Sequence, residues 1–187
     1  IDYAGRAIQL GYREPNKKTY ESHRVFGVNA AACIYTAHYL RSQPFGNDYF
    51  DSDLWMYLED VDLAARAVVL GYENWVVTGT YAYHMGSASS GKNPGFSVFY
   101  IYRNNLPMLF KNLPWQVLVR VLPGIFITDL ALILGMLRHR NVTTTKIIIK
   151  ARLKSLKMLR SFFRKRKLLH SQSDINLRRI RSLIVAE

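Results

Sequence analysis

Residues 54–72 read LWMYLEDVDLAARAVVLGY, and this stretch decides the fold that the sequence predicts. Its second half has apolar side chains at helical spacing, and those on one face are Leu63, Ala67 and Leu70. Gly71 stands where a helix would end, because glycine readily adopts the left-handed conformation of a C-cap. Asp51 or Ser52, in the preceding turn, is the expected N-cap. The stretch therefore predicts a helix with one apolar face.

Six of the chain's thirteen acidic residues lie within fifteen positions around the start of this helix. They are Asp48, Asp51, Asp53, Glu59, Asp60 and Asp62. Glu59 and Asp60 point about 100° apart on a helix, so their carboxylates cannot do the same job. A carboxylate at a helix N-terminus can act as a general base towards a hydroxyl, or it can simply complement the helix dipole. Asp62 and Arg66 have the i, i+4 spacing of an ion pair on the helix surface.

The segments on either side of this helix are apolar and contain candidate site residues. Residues 25–36, VFGVNAAACIYT, are small and apolar, and Gly27 and Asn29 would let a ligand or a strand approach the backbone. Residues 73–84, ENWVVTGTYAYH, are typical of a strand and end at His84. A histidine where a strand meets a Gly/Ser-rich loop is either a site residue or a structural one.

The composition of the 187 residues excludes several classes of protein. Twelve Tyr, nine Phe and three Trp exclude a chain that is disordered throughout, and a single cysteine, Cys33, excludes an internally disulfide-bonded scaffold. The net charge of +13 is confined to residues 138–187, which hold 15 Lys and Arg against 2 Asp and Glu. Residues 1–137 hold 11 of each and are neutral. The chain therefore joins a neutral part to a strongly basic one.

The most apolar stretch is residues 121–137, VLPGIFITDLALILGML, just before the basic part. It has 17 residues, against the roughly 20 that a spanning helix needs. Asp129 inside it would also cost about 2.5–3.5 kcal/mol on insertion into a bilayer. A spanning helix is therefore not favoured over one that lies in the interface or re-enters the membrane.

After Lys150 the sequence predicts a basic amphipathic helix. Its apolar stripe is Leu153, Leu156, Leu159 and Phe163, and its other surface is crowded by Lys150, Arg152, Lys154, Lys157, Arg160 and residues 164–167. Such a helix binds anionic lipid head groups, which favours a membrane-surface role. The alternative is a solvated helix that packs its leucine stripe on the rest of the protein. Nucleic-acid binding is less favoured, because the aromatic residues lie in the neutral part of the chain.

Several groups of residues resemble the C-terminal half of a family 2 glycosyltransferase, most closely its bacterial rhamnosyltransferase-like branch. The family pattern G-x-x-A-A-x-x-Y is matched by Gly27, Ala30, Ala31 and Tyr35. The pattern around E-D-x-D-L, with Phe50 nearby, is matched by Glu59, Asp60, Asp62, Leu63, Arg66, Gly71 and Tyr72. The following strand ends at His84, and the Arg103-Asn104 pair and residues 112–114 also resemble that branch.

The resemblance implies an α/β fold that is part of a GT-A mixed sheet with flanking helices. Residues 1–114 would be its acceptor-side half, and residues 115–187 a helical membrane-associating tail. The implied activity is inverting, metal-dependent transfer of a sugar such as rhamnose from a nucleotide-sugar donor to a saccharide or lipid-linked saccharide. Asp60 would be the general base with Glu59 beside it, and His84 would help to hold a divalent Mg²⁺ or Mn²⁺ ion. The implied substrate contacts are Gly27, Asn29, Ala30, Asp62 and Arg66.

The family's N-terminal half, with its nucleotide-binding strands and Asp-x-Asp metal motif, is not seen before Gly27. We therefore expect the chain to be a fragment that is inactive unless this half is supplied. The tail predicts a location at the cytoplasmic face of the cell membrane, peripheral or through one short membrane segment. The expected partner there is an anionic membrane surface, not nucleic acid. The alternative function is a non-catalytic membrane-surface module in which the acidic helix is structural.

Overall fold

The computed structural model describes residues 1–2, 4–8, 21–46, 48–80, 82, 93–173 and 175–184, and within them the chain is mostly helical. Two short strands form an antiparallel sheet, β1 (His23–Val25) and β2 (Asn74–Val76). The helices are α1 (Ala37–Arg41), α2 (Glu59–Val69), α3 (Pro94–Asn112), α4 (Trp115–Arg138), α5 (Val142–Ser171) and α6 (Leu177–Ser182).

The sheet is smaller than the one that the resemblance implies. Its register pairs His23 with Val76, Arg24 with Trp75 and Val25 with Asn74. After β1 the small apolar run forms a 3-10 turn, Ala30–Ala32, because the Asn29 side chain accepts a hydrogen bond from the Ala31 N–H at 2.9 Å. The described residues thus show a two-stranded antiparallel sheet and not a mixed GT-A sheet.

Helix α2 ends where the sequence predicts, with Gly71 (φ 90°) just beyond it, but the predicted N-caps are wrong. The helix begins at Glu59, and its N-cap is Leu58, whose backbone is left-handed (φ 66°). Asp51 instead accepts a hydrogen bond from the Asp53 N–H at 3.1 Å and pairs with lysines of α3 and α5. Its charge is used in tertiary contacts rather than at the helix end.

Four buried charged side chains and the half-buried Lys165 form one network, and we call it the interior charge network: Asp51, Asp62, Arg66, Lys111 and Lys165. Lys111 Nζ lies 2.5 Å from the Asp51 carboxylate and 2.8 Å from that of Asp62. Asp62 also accepts a hydrogen bond from Arg66 Nε at 3.1 Å, and Lys165 Nζ lies 2.5 Å from Asp51. Asp62, Arg66 and Lys111 are fully buried. The Asp62–Arg66 pair therefore exists, but in the interior and not on the helix surface.

Helix α3 contains Pro107 within its length. Proline removes one hydrogen bond to the preceding turn, which normally breaks or kinks a helix. The packing of α3 along α5 is the most extensive contact between two elements, and it compensates for this loss. Pro114 does end the helical run, because it is the N-cap of α4.

Helix α5 packs with a face that differs from the predicted leucine stripe. Its buried side chains are Thr145, Ile148, Ala151, Ser155, Phe162, Arg166 and Leu169. Leu153, Leu156 and Phe163 of the stripe are 56%, 52% and 42% exposed. The alternative in which this stripe packs on the protein is therefore wrong, and an exposed apolar face remains.

Three basic residues of α5 that the sequence places on the surface bind the protein instead. Arg152 pairs with Asp129 of α4 at 2.6 Å, and Lys165 belongs to the interior charge network. Arg166 donates hydrogen bonds of 2.5 and 2.6 Å to two backbone carbonyls at the end of α3. Part of the basic charge of the tail therefore holds the fold together.

Helix α4 is long and apolar enough to cross a membrane, with a mean hydropathy of 2.2 over an 18-residue window. Its 24 residues reach about 36 Å, against roughly 30 Å of bilayer hydrocarbon. Its buried side chains are Val117, Leu118, Val121 and Ile125. They join the same hydrophobic core as Ala65 and Val68 of α2, so residues 1–114 and 115–187 share one core.

The interior charge network predicts a large stability loss for Lys111→Met. This change leaves two buried carboxylates without their shared cation, which costs about 3–5 kcal/mol in the free energy of unfolding. Urea unfolding followed by circular dichroism measures the loss. Arg24→Met is the control, because the Arg24–Glu73 pair is 58% and 34% exposed and should contribute about 0–1 kcal/mol. Equal losses in the two variants would contradict the prediction.

Candidate functional site

The acidic residues between positions 51 and 62 divide into two groups. Asp51, Asp53 and Asp62 are paired with lysine or arginine side chains. Glu59 and Asp60 form no such ion pair with any residue of the part of the chain that the structure describes. These two half-buried carboxyl groups, at the start of α2, are therefore the ones free to act on a ligand.

The Asp60 carboxylate is held by backbone N–H groups. Its Oδ1 accepts a hydrogen bond from the Val61 N–H at 2.7 Å, and its Oδ2 accepts one from the Ala30 N–H at 3.3 Å. Both contacts fix the carboxylate at the N-terminus of α2, where the helix dipole favours negative charge. Each oxygen keeps a lone pair for a further partner, so a bound hydroxyl could donate its proton there.

The three predicted substrate contacts around residue 27 lie next to Asp60 but differ in what they do. Ala30 touches the Asp60 carboxylate directly. Asn29 is exposed and caps the 3-10 turn. Gly27 packs against α2, since a Cβ there would lie 2.5 Å from the Ala64 Cβ. Gly27 therefore brings this segment close to the helix that holds Asp60.

Asp62 and Arg66, also predicted to contact substrate, lie elsewhere. Both side chains are fully buried in the interior charge network. Arg66 further donates to the Gln43 side chain and to the Tyr49 carbonyl, both at 2.5 Å. A substrate contact requires an accessible side chain, so the geometry supports a structural role for this pair.

Glu59 stands in a different environment from its neighbour. Its Oε2 is buried and has no hydrogen-bond partner among the described residues. Burial raises the pKa of Glu59; a hydrogen bond from its own backbone opposes the rise and the negative charge of Asp60 adds to it. A raised pKa favours the neutral acid, which can donate a hydrogen bond beside the Asp60 carboxylate.

Tyr35 is a neighbour of this site for which the sequence supplied no role. Burial is the largest cause of its strongly raised pKa, followed by the Cys33 thiol and the negative charge of Asp60. Its ring packs edge-on against Phe50, with centroids 6.5 Å apart. Its place in the motif that starts at Gly27 was the signal that could have identified it.

The loop that leads into α2, residues 53–58, is clamped by two neighbouring side chains of α3. Trp55, Tyr57 and Leu58 have positive φ angles of 61°, 65° and 66°, a conformation that non-glycine residues rarely adopt. The Asn104 amide donates to the carbonyls of Leu54, Met56 and Tyr57 at 2.8–2.9 Å.

Arg103 completes this clamp by donating to the carbonyls of Asp53 and Leu54 at 2.7 and 3.1 Å. The strained loop fixes where α2 begins and thereby the position of Asp60. The Arg103-Asn104 pair that the sequence pattern singled out thus has a structural explanation.

The predicted metal site cannot be assembled from the described residues. His84 lies outside them, and within them no group of three or more His, Cys, Asp or Glu side chains could hold a metal ion.

Comparisons with models of protein families, with curated proteins and with solved structures found no match to this chain. The resemblance to family 2 glycosyltransferases therefore rests on the motifs alone.

The raised pKa of Glu59 predicts a pH-dependent gain in stability for Glu59→Gln. The folded protein binds this proton more tightly than the unfolded chain, for which the pKa is near 4.5. The stability that the bound proton provides is fully present below the pKa of Glu59 in the unfolded chain. It is lost as the pH rises through the higher pKa of Glu59 in the folded protein. The melting temperature of Glu59→Gln relative to wild type should therefore increase from about pH 4 to about pH 7.

Thermal unfolding at several pH values measures this difference. Glu73→Gln, the same substitution at a surface residue paired with Arg24, controls for the loss of a charge. A difference between Glu59→Gln and wild type that does not change with pH would contradict the prediction.

Proposed function

We propose that this chain forms the acceptor side of an inverting glycosyltransferase that acts at a membrane surface. The observation that carries the proposal is the Asp60 carboxylate, which two backbone N–H groups orient while no cation of the described residues neutralises it. Glu59 and Ala30, to which the resemblance assigns catalytic and substrate-binding roles, are neighbours of Asp60. The proposed donor is a nucleotide-activated sugar, such as rhamnose.

The chemistry of the proposed reaction assigns one proton transfer to Asp60. Its carboxylate takes the proton of the acceptor hydroxyl while the hydroxyl oxygen bonds to the anomeric carbon. The bond from that carbon to the diphosphate oxygen breaks with its electron pair, and attack from the opposite side inverts the configuration. The Ala30 and Val61 N–H groups hold the carboxylate in place during the transfer.

A Mg²⁺ or Mn²⁺ ion is part of the family chemistry, in which it neutralises the leaving diphosphate. The described residues contain no group of three His, Cys, Asp or Glu side chains for it, and His84, the ligand that the resemblance implies, lies outside them. The remaining strands of a GT-A sheet and the nucleotide-binding half would likewise have to come from outside the described residues.

A membrane location is favoured by the apolar side chains that α4 and α5 leave exposed. In the C-terminal half of α4 they include Phe126, Ile127, Leu130, Leu134 and Leu137, with exposures of 48–67%. On α5 they include Ile149, Leu153, Leu156 and Phe163, beside a row of lysines. Apolar and basic faces on one helix suit the interface of an anionic membrane, and the proposal assigns this basic tail to the cytoplasmic face.

The contacts of α4 favour a helix that lies in the membrane surface over one that spans it. Its N-terminal half packs one face into the protein core, which leaves residues 126–138 as the part of the helix free to enter lipid. These reach about 20 Å, less than the roughly 30 Å of bilayer hydrocarbon. Asp129 is neutralised by Arg152 of α5 at 2.6 Å, and spanning would pull this basic helix into the hydrocarbon as well.

The same exposed faces support the second candidate function, a non-catalytic membrane-surface module. In that case Asp60 would only complement the dipole of α2. The two candidates differ in whether Asp60 is needed for turnover, and they share the membrane contact.

The catalytic proposal predicts a large activity loss for Asp60→Asn in the full-length gene product. The substitution keeps size and hydrogen bonding but removes the base, which costs about 10²–10⁴-fold in turnover. Release of nucleoside diphosphate from a panel of nucleotide sugars, with membranes as the acceptor source, measures it. Asp53→Asn is the matched control, because Asp53 is a half-exposed acid paired with Lys165 and should keep its activity. Unchanged turnover in Asp60→Asn would favour the non-catalytic module.

The membrane proposal predicts that Leu130→Ser/Leu134→Ser weakens binding to anionic vesicles. The two leucines are 58% and 57% exposed on one face of α4, and their transfer into lipid contributes enough for about a tenfold change. Co-sedimentation with vesicles measures the partition coefficient. Ile34→Ser/Val77→Ser removes two other exposed apolar side chains, 97% and 65% exposed, and should have little effect. Equal weakening by both pairs would contradict a specific membrane face.

A further inference from the structure

A groove of about 500 Å³ lies between α3, α5 and the clamped loop, and nothing in the proposed reaction uses it. Its lining residues are Trp55, Phe99, Tyr100, Arg103, Lys150, Leu153, Lys154 and Lys157. We propose that this groove binds the phosphate group of a lipid at the membrane surface. The proposal rests on the membrane-surface part of the proposed function and adds a defined headgroup site to it.

The groove combines four cations with no acidic residue among its described lining. Lys150, Lys154 and Lys157 are exposed and have no ion-pair partner in the described part of the chain. They recur every three or four residues, so α5 presents all three on one side. A site with this excess of positive charge selects a ligand with more than one negative charge, which a phosphomonoester provides.

The opposite wall of the groove is aromatic and rigid. The Trp55 ring contacts the Tyr100 ring, with centroids 5.0 Å apart, and the Arg103 guanidinium lies 5.5 Å from the centre of that ring. Arg103 is also bonded to two carbonyls of the clamped loop, so its side chain is fixed before any ligand arrives. The strained backbone at Trp55 thus holds an aromatic side chain, 60% exposed, at the mouth of a basic groove.

The position of the groove on α5 identifies lipid as the source of the phosphate. Leu153 lines the groove and also belongs to the exposed apolar face with Leu156 and Phe163. The three lysines lie beside that face, at the level where head groups sit when an amphipathic helix rests in a membrane. Aromatic rings such as Trp55 prefer the same level. A free phosphate ion has no apolar part, so it would gain nothing from the exposed apolar face beside the groove.

Nucleic acid is the competing ligand, because the fold brings aromatic and basic residues together that are far apart in the sequence. Stacking of bases on Trp55 or Tyr100 beside lysines would resemble single-stranded nucleic-acid sites. The exposed apolar face next to the groove favours lipid over a fully solvated polyanion. Competition between the two ligands therefore belongs to the test.

The test compares phosphatidylcholine vesicles that contain phosphatidic acid or phosphatidylglycerol at equal surface charge. The variant is Lys154→Gln/Lys157→Gln, and the control Arg160→Gln/Arg164→Gln removes two exposed charges from α5 outside the groove. We expect wild type to prefer phosphatidic acid by about tenfold, which corresponds to roughly one or two well-placed lysines. The groove variant should lose this preference, whereas the control should bind both vesicles more weakly and keep it. Circular dichroism verifies that both variants are folded.

Five outcomes would overturn the proposal. Equal binding to the two lipids, or an equal loss of preference in both variants, would show only diffuse attraction between charges. Displacement from vesicles by millimolar inorganic phosphate would show a site for free phosphate, and displacement by a short single-stranded oligonucleotide would show a nucleic-acid site. Failure to bind any vesicle would reject the membrane part of the proposed function together with the groove, whereas the other four outcomes reject the groove alone.

Discussion

The ammonium group of Lys111, enclosed between the carboxylates of Asp51 and Asp62, is the interaction on which the remaining structure depends. Burial alone would raise the pKa of Asp51, but Lys111 and Lys165 hold it below its usual 3.8. Removing these charges from water is costly, and the cost is offset only while every partner is in place. Because the partners come from the acidic turn, α2, α3 and α5, the network fixes these elements relative to one another.

The candidate site is a consequence of this arrangement. The network uses the charges of Asp51 and Asp62, and Asp53 pairs with Lys165, which leaves Glu59 and Asp60, among the described residues, unpaired at the first turn of α2. Asn104 and Arg103 then hold the strained loop before the helix, so that the carboxylate of Asp60 meets the Ala30 N–H. Within this short acidic sequence, the acids that are paired with cations serve the fold. The unpaired, half-buried Glu59 and Asp60 are available to a ligand.

The basic tail is divided in a similar way. Arg152, Lys165 and Arg166 bind the protein, and Arg166 stacks on Trp115 with its guanidinium 4.2 Å from the ring centre. Burial lowers the pKa of Arg166 to about 10. The lysines on the other side of α5 remain in solvent beside an exposed apolar face. Only this second group is available to a membrane or to another anionic ligand.

The sequence by itself determined α2 with its end just before Gly71, and the amphipathic character of α5. It also singled out the Glu59-Asp60 pair as candidate site residues. These features follow from local spacing and residue type. It could not determine which face of α5 is buried, since both of its faces carry apolar residues. The packing of α5 against α3 decides which of the two is buried. Nor could spacing show that Asp62 and Arg66 are interior, because their burial depends on Lys111, about 50 residues away. The tertiary structure alone decided which charges are neutralised, because only folding brings distant cations to those carboxylates.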